Sequence, residues 1–175
     1  LMILTMITST VLGMGLPKSV AGATPRRLVG LWGALDFLNA AKREKQWSLA
    51  EQVVAVIGGG NTAMDAAVAA RQLGARDVYL VYRRSYQQMP AWPAERDEAL
   101  HAGVHLMLLC QPVGYETGAD GRLSGLRVVR TQLGEPDPSG RRSPVPVAGS
   151  EFVLSADMVV EALGEIGRAS CRERV

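Results

Sequence analysis

The sequence predicts an α/β fold in which a parallel sheet packed by helices is followed by an antiparallel β-meander. Three observations carry this expectation. The run Val53–Ile57 is wholly apolar and four of its five residues are β-branched, the pattern of a parallel strand covered on both faces. A glycine turn, Gly58-Gly59-Gly60, follows at once and opens onto an alanine-rich stretch; a second strand-like run, Asp77–Tyr82, completes a strand–helix–strand unit. Beyond residue 110 the apolar runs shorten and are separated by Gly, Asp and Pro, as antiparallel pairing requires.

The elements follow in order. Residues 11–19 read as a strand end passing into a loop, and Pro17, Gly22 and Pro25 keep the chain irregular to Arg27. Ala34–Arg43 reads as a helix, with Ala34, Leu38 and Ala41 at helical spacing and the charged run 42–45 as its solvated end. Residues 62–73 are the helix after the glycine turn, stopped by Gly74. Residues 89–93 form a loop with Pro90 and Pro93, residues 94–102 a helix ended by Gly103, and residues 104–109 a third strand. Short strands are expected at 113–116, 123–131 and 151–154. Residues 134–146, with four prolines and two glycines, read as a polar loop, and residues 156–163 as a last strand ending at Gly164.

Composition narrows the function classes. With 175 residues, 47% hydrophobic and 21% charged, the chain reads as one soluble globular domain, alone or with pieces of a neighbour, and the cytoplasm is the default compartment. A net charge of +2 with no basic stripe excludes a nucleic-acid reader. Cys110 and Cys171 form no C-x-x-C pair, so a disulfide framework, a metal site and a dithiol centre all lack support. Residues 1–17 carry no charge, so the basic start of a signal peptide is absent. Four Thr/Ser and two Gly interrupt that run, so a buried strand is expected rather than a membrane helix. Residues 165–175 have no apolar period and back-translate to a common sequencing adapter, and are expected to be a non-native tail. From residue 166 that tail holds three Arg and one Glu, enough to account for the whole net charge.

The chemistry sits at the glycine turn. Gly58-Gly59-Gly60-Asn61-Thr62-Ala63 is G-x-G-x-x-A between strand and helix, the Rossmann-like dinucleotide pattern. Gly58 permits the tight turn, Gly60 lets backbone approach a pyrophosphate, and Ala63 lets the helix pack on the strand. The first N–H groups of the helix then face the phosphates. The alternative is a βα turn with no ligand, but three consecutive glycines are costly to order. Arg83 and Arg84 end the second strand, and no Asp or Glu occurs from 78 to 94. A ribose 2′-hydroxyl calls for a carboxylate there and a 2′-phosphate calls for arginine, so the cofactor is expected to be NADPH. The alternative is that the arginines are solvated or pair with Glu95 and Glu98. His101 and His105 are expected to be structural, Cys110 to be packing, and Asp65 to bond a neighbouring loop rather than a ligand. Trp32, Trp47 and Trp92 share no stripe. No catalytic side chain is expected, because hydride transfer needs no protein acid or base.

From residue 53 to 164 the chain resembles the pyridine-nucleotide domain of the glutamate synthase small-subunit family, which includes the NADPH-accepting half of dihydropyrimidine dehydrogenase. The resemblance rests on Gly-Gly-Gly-Asn-Thr-Ala-Met-Asp (58–65), Tyr-Arg-Arg (82–84), Met-Pro-Ala (89–91), Leu-Gly-Glu-Pro-Asp (133–137), Ser-Gly-Arg-Arg (139–142), Gly-Ser-Glu (149–151) and Ala-Asp-Met-Val-Val (156–160). It continues loosely backward through Leu-Gly-Met-Gly (12–15) and Ala-Leu-Asp-Phe-Leu (34–38). It implies a nucleotide domain at 51–164 with truncated remnants of a flanking FAD domain and linker at 1–50, the tail taking 165–175. It further implies that NADPH reduces FAD in the intact protein, and that electrons move on through iron–sulfur clusters held in other segments or in a partner. A large synthase or dehydrogenase subunit would be that partner. Gly59, Gly60, Asn61 and Thr62 would touch the pyrophosphate, Arg83 and Arg84 the 2′-phosphate, and Ala162, Leu163 and Gly164 the nicotinamide side. An FAD fingerprint and a Cys-rich segment are lacking here, so this stretch alone is expected not to turn over. A thioredoxin-reductase-like enzyme would place a dithiol in this domain, and none is present. The competing readings are a non-catalytic nucleotide-binding sensor or assembly domain, and an inactive truncated product.

Overall fold

The computed structural model describes residues 28–163. Its layering follows from the five buried residues that precede the glycine turn. Val54 and Val56 face a helical layer, while Val53, Ala55 and Ile57 face a second sheet. A strand buried on both sides has no use for polar residues, which is why this run is unbroken.

In chain order the elements are β1 (Leu31–Gly33), α1 (Ala34–Arg43), β2 (Val53–Ile57), α2 (Asn61–Gln72), β3 (Asp77–Tyr82), α3 (Pro93–His101) and β4 (His105–Leu108), with a short 3₁₀ turn at Tyr86–Gln88. They continue with β5 (Cys110–Thr117), β6 (Leu123–Pro136), β7 (Arg142–Pro146), β8 (Phe152–Ser155) and β9 (Met158–Glu161). The first sheet has the order β1-β9-β2-β3-β4 and every pairing in it is parallel. The second is antiparallel: β5, β6 and β7 in line, with β8 also on β6. The α/β class with a parallel sheet and an antiparallel meander is thus the observed architecture. Residues 28–33 received no assignment from their sequence and supply the edge strand β1, which pairs with the C-terminal β9.

On the helical side, Ala63, Ala66, Ala67 and Ala70 of α2 are fully buried together with Met64. Alanine brings the helix axis close to the sheet, and four such residues on one face make this helix–sheet contact tight. Trp32, Phe37 and Trp47 form an aromatic cluster at the edge of that layer, with ring centroids 5.3–6.4 Å apart. Spacing in the sequence gave no hint of it, because the three rings come from a strand, a helix and a loop. Trp92 stands apart, 70% exposed. The second core holds Leu123, Leu126, Val128 and Cys110 against the back of the parallel sheet.

The stretch 134–146 corrects the sequence expectation. It is not a loop throughout: β6 runs on to Pro136 and β7 pairs with it, Thr131 opposite Pro146 and Leu133 opposite Pro144. Proline argues against a central strand but not against an edge, where its missing N–H faces outward. β7 is such an edge. The tail at 165–175, the run at 1–27, Cys171 and Gly164 lie outside the described residues. Among the described residues no helix is long and apolar enough to cross a membrane.

Candidate functional site

The carboxyl ends of β2 and β9 lie side by side, Ile57 opposite Glu161. The chain leaves β2 into the glycine turn and leaves β9 into Ala162, whose N–H donates to the Ile57 carbonyl at 2.8 Å. This edge is where an open parallel sheet offers a crevice to a ligand.

The three glycines prove to have three different physical reasons. Gly58 has φ +146°, and a Cβ there would lie 2.7 Å from the Ala162 carbonyl oxygen. Its neighbour strand excludes a side chain. Gly59 has an ordinary backbone, but a Cβ would fall 2.5 Å from Cε2 of Tyr82. The Tyr82 ring is held there by its hydroxyl, which donates to the Gln88 carbonyl at 2.7 Å. Gly60 has nothing within 4 Å of the place a Cβ would take. Thus the protein itself demands glycine at 58 and 59, and only Gly60 looks into open space.

Gly60 is also the N-cap of α2, with φ −91° and ψ 175°, and no side chain caps the helix. The first intrahelical bonds run from the N–H groups of Ala63 and Met64 to the Gly60 carbonyl. The N–H groups of Asn61 and Thr62 precede them and point out of the helix end, where the dipole is positive. Ala63 is fully buried at the helix–strand junction. A strap crosses the turn: the Ala91 N–H donates to the Gly59 carbonyl and the Trp92 N–H donates to Asn61 Oδ1, both at 3.0 Å. Met89 and Ala91 are buried while Pro90 between them is exposed, which accounts for the Met-Pro-Ala motif.

At the end of β3, Arg83 is exposed and Arg84 half-buried. Neither forms an ion pair among the described residues, and the buried Nε of Arg84 has no partner. Glu95 and Glu98 instead line a groove between the three helices with Lys42 and Asp65. The backbones of Arg83 and Arg84 are clamped from the second sheet. The buried Thr131 hydroxyl donates to the Arg83 carbonyl at 2.8 Å, and the Leu109 N–H to the Arg84 carbonyl at 3.1 Å. Leu109 adopts φ +53° to do this, while its own carbonyl accepts from the Thr131 N–H. A left-handed leucine is costly, and here it joins the two sheets exactly where the arginines leave β3. No sequence signal marks Leu109 or Thr131, since their partners are remote in the chain.

The remaining candidates are placed plainly. Ala162 is half-buried beside Gly58 and Leu163 is 53% exposed. Glu161, one residue earlier, accepts a hydrogen bond from the Tyr115 hydroxyl of β5. Burial, and then the bonded Glu161 carboxylate, push the Tyr115 phenol well above its usual range. Burial also raises the Cys110 thiol, against the opposing charge of Arg130. His101 contacts the Asp97 carbonyl at its helix end, and His105 lies 3.6 Å from Asp77.

The sequence profile of pyridine nucleotide-disulphide oxidoreductases matches residues 20–174. The chain belongs to that family. Among members of the family, the NADP(+)-dependent formate dehydrogenase subunit beta of Moorella thermoacetica is 46% identical over 136 residues, covering 78% of this chain and 19% of that protein. The NADPH-Fe(3+) oxidoreductase subunit beta of Geobacter sulfurreducens is 42% identical over 149 residues, 85% of this chain and 22% of that protein. The NADPH glutamate synthase small chain of Escherichia coli (strain K12) is 37% identical over 164 residues, 87% of this chain and 35% of that protein. This chain therefore spans 19% to 35% of the length of these relatives. In fold it is similar to Mycobacterium tuberculosis FprA in complex with NADPH, with a TM-score of 0.58 at 19% identity, over 83% of this chain and 47% of that one. T. acidophilum thioredoxin reductase gives 0.52 at 15% identity, over 77% and 35%.

Proposed function

We propose that this oxidoreductase-family chain is the NADPH-binding module of an FAD-dependent oxidoreductase of the glutamate synthase small-subunit type. The observation that carries the reading is the pairing of an open Gly60 at an uncapped helix N-terminus with an arginine pair that has no carboxylate partner. A dinucleotide pyrophosphate matches the first feature and a 2′-phosphate matches the second. Three similar relatives carry NADP or NADPH in their names.

In this reading Gly60, Asn61 and Thr62 hold the pyrophosphate with backbone N–H groups, and Gly58, Gly59 and Ala63 shape the turn that presents them. Arg83 and Arg84 take the 2′-phosphate. Ala162, Leu163 and Gly164 border the nicotinamide side. Bound NADPH supplies a hydride to a flavin. The residues of this chain position the donor and balance its charge, with no side chain needed as acid or base. The flavin and any iron–sulfur clusters belong to the rest of the longer protein or to a partner, a large synthase or dehydrogenase subunit being the chemistry that fits.

Calorimetric titration with NADPH and NADH tests the reading. Arg83→Ala/Arg84→Ala is expected to weaken NADPH by about a hundredfold, the loss of two charge-assisted contacts, and NADH by less than about threefold. Equal losses for the two nucleotides reject the 2′-phosphate assignment. A wild-type chain that folds and binds neither nucleotide rejects the dinucleotide site.

A further inference from the structure

The two arginines at the end of β3 begin a stretch in which four consecutive carbonyls are taken. That of Arg83 accepts from the Thr131 hydroxyl at 2.8 Å and that of Arg84 from the Leu109 N–H at 3.1 Å. That of Ser85 accepts from the Gln88 N–H at 3.1 Å. That of Tyr86 accepts from the Met89 N–H at 3.2 Å and from Arg96 Nη1 at 3.0 Å. The Arg96 guanidinium also lies over the Tyr86 ring, 4.5 Å from its centroid. A strand end passing into a loop opens easily when its backbone bonds are few or exposed. This one is held from the second sheet on one side and from α3 on the other.

Thr131 is the part of this frame that packing does not explain. It is the one buried polar residue among the described residues, 5% exposed, in a strand whose other buried positions are Leu, Val and Gly. Valine has nearly the same shape and would bring no hydroxyl to satisfy. The hydroxyl instead reaches across 48 positions of sequence to the Arg83 carbonyl. Leu109 forms the other half of the clamp at φ +53°, a left-handed backbone that is costly for leucine. Its own carbonyl accepts from the Thr131 N–H at 2.8 Å, so the two grips act as one unit. The guanidinium groups carried on this backbone form no ion pair among the described residues, and Arg84 Nε is buried without an acceptor. A buried hydroxyl and a strained leucine thus fix two backbones whose charges no carboxylate uses.

We propose that Thr131 is a positioning residue for dinucleotide selectivity. Its hydroxyl, with Leu109, sets where Arg83 and Arg84 leave β3, so both guanidinium groups meet the 2′-phosphate from Cα positions already fixed. The inference rests on the NADPH reading above. Ordering two long side chains opposes binding, and a backbone held in advance reduces that cost. NADH carries no 2′-phosphate and gains nothing from the arrangement, so the clamp separates the two nucleotides without touching either. The antiparallel sheet thereby has a part in selectivity as well as in packing.

Thr131→Val in the full chain tests this, because it keeps volume and branching and removes the bond to Arg83. The assay is calorimetric titration with NADPH, NADH and 2′,5′-ADP, beside urea unfolding. NADPH and 2′,5′-ADP are expected to weaken about fivefold, the equivalent of one lost hydrogen bond, and NADH by less than about twofold. Thr131→Ser keeps the hydroxyl and is expected to recover most of the loss. An unchanged NADPH to NADH ratio overturns the proposal, whatever happens to stability. A serine variant as weak as the valine one also overturns it, since packing then accounts for the loss. Should Thr131→Val not fold, hydrogen exchange in the wild-type chain decides. The Leu109 and Thr131 amides are expected to be protected before nucleotide is added, and protection that arises only with NADPH overturns the proposal. If Arg83→Ala/Arg84→Ala abolishes discrimination while Thr131→Val leaves it intact, only the role of Thr131 fails. If neither alters discrimination, the 2′-phosphate site itself fails and Thr131 with it.

Discussion

Replacing Gly59 by alanine puts the steric reading of the turn to a quantitative test. The new Cβ would stand 2.5, 2.6 and 3.0 Å from Cε2, Cδ2 and Cζ of Tyr82. Contacts that short cannot persist, so either the ring or the turn must move. A moving ring gives up the 2.7 Å bond to the Gln88 carbonyl, worth about 1 kcal/mol net, and leaves its rotamer at a cost of about 1 kcal/mol. A moving turn disturbs a packed backbone at about 1–3 kcal/mol. Against either stands a gain of about 0.5 kcal/mol, because alanine restricts the unfolded chain and Gly59 has no positive φ. The cheaper of the two movements sets the cost, so the net expectation is a loss of about 0.5–1.5 kcal/mol, read from urea unfolding. In a Tyr82→Ala background the same substitution meets no ring, and its cost is expected to vanish or turn into a small gain. The double-mutant cycle should therefore show a coupling of about 1–2 kcal/mol. An equal cost in both backgrounds would refute the claim that the ring is what demands glycine at 59.

Two further outcomes are expected. Gly60→Ala meets nothing within 4 Å and has an ordinary φ of −91°, so unfolding in urea should show stability unchanged or raised by up to about 1 kcal/mol. The same variant should bind NADPH at least about tenfold more weakly, since the methyl occupies the space left for the pyrophosphate; unweakened binding would remove Gly60 from the site. Tyr115→Phe tests the alkaline limb. The folded Tyr115 phenol is held above its ordinary value of 10.0, so past that pH the unfolded chain releases the proton while the folded chain keeps it. Stability is then lost as pH rises, with a slope of up to about 1.4 kcal/mol per pH unit from this group. The phenylalanine variant should lose this part of the slope, and identical slopes for the two chains would contradict the assignment.

Much of the parallel half was legible in the residues. Val53–Ile57 and Asp77–Tyr82 form strands at those bounds, and Ala34–Arg43 a helix at its own. A fully buried strand and an alanine face are written in consecutive or helically spaced residues, so local pattern suffices to find them. The helices at 62–73 and 94–102 each begin and end one residue earlier than their patterns imply, the usual uncertainty at helix ends. The β6–β7 hairpin was hidden by Pro144 and Pro146, because a proline is a strand breaker or an edge marker according to where the strand lies, and position in a sheet is not a local property. The aromatic cluster of Trp32, Phe37 and Trp47 was hidden for the same reason.

The sequence by itself determined the glycine turn, the strand before it, the alanine helix after it and the two arginines at the end of the next strand. Each of these depends on near neighbours in the chain. Tertiary structure alone decided why each glycine is there: Ala162 bars a side chain at 58, Tyr82 bars one at 59, and open space remains at 60. It alone brought Thr131 and Leu109 onto the arginine backbones. Those contacts join residues 22 to 104 positions apart, from Leu109 with Thr131 to Gly58 with Ala162. Packing of one sheet on another makes them, and no periodicity along the chain records it.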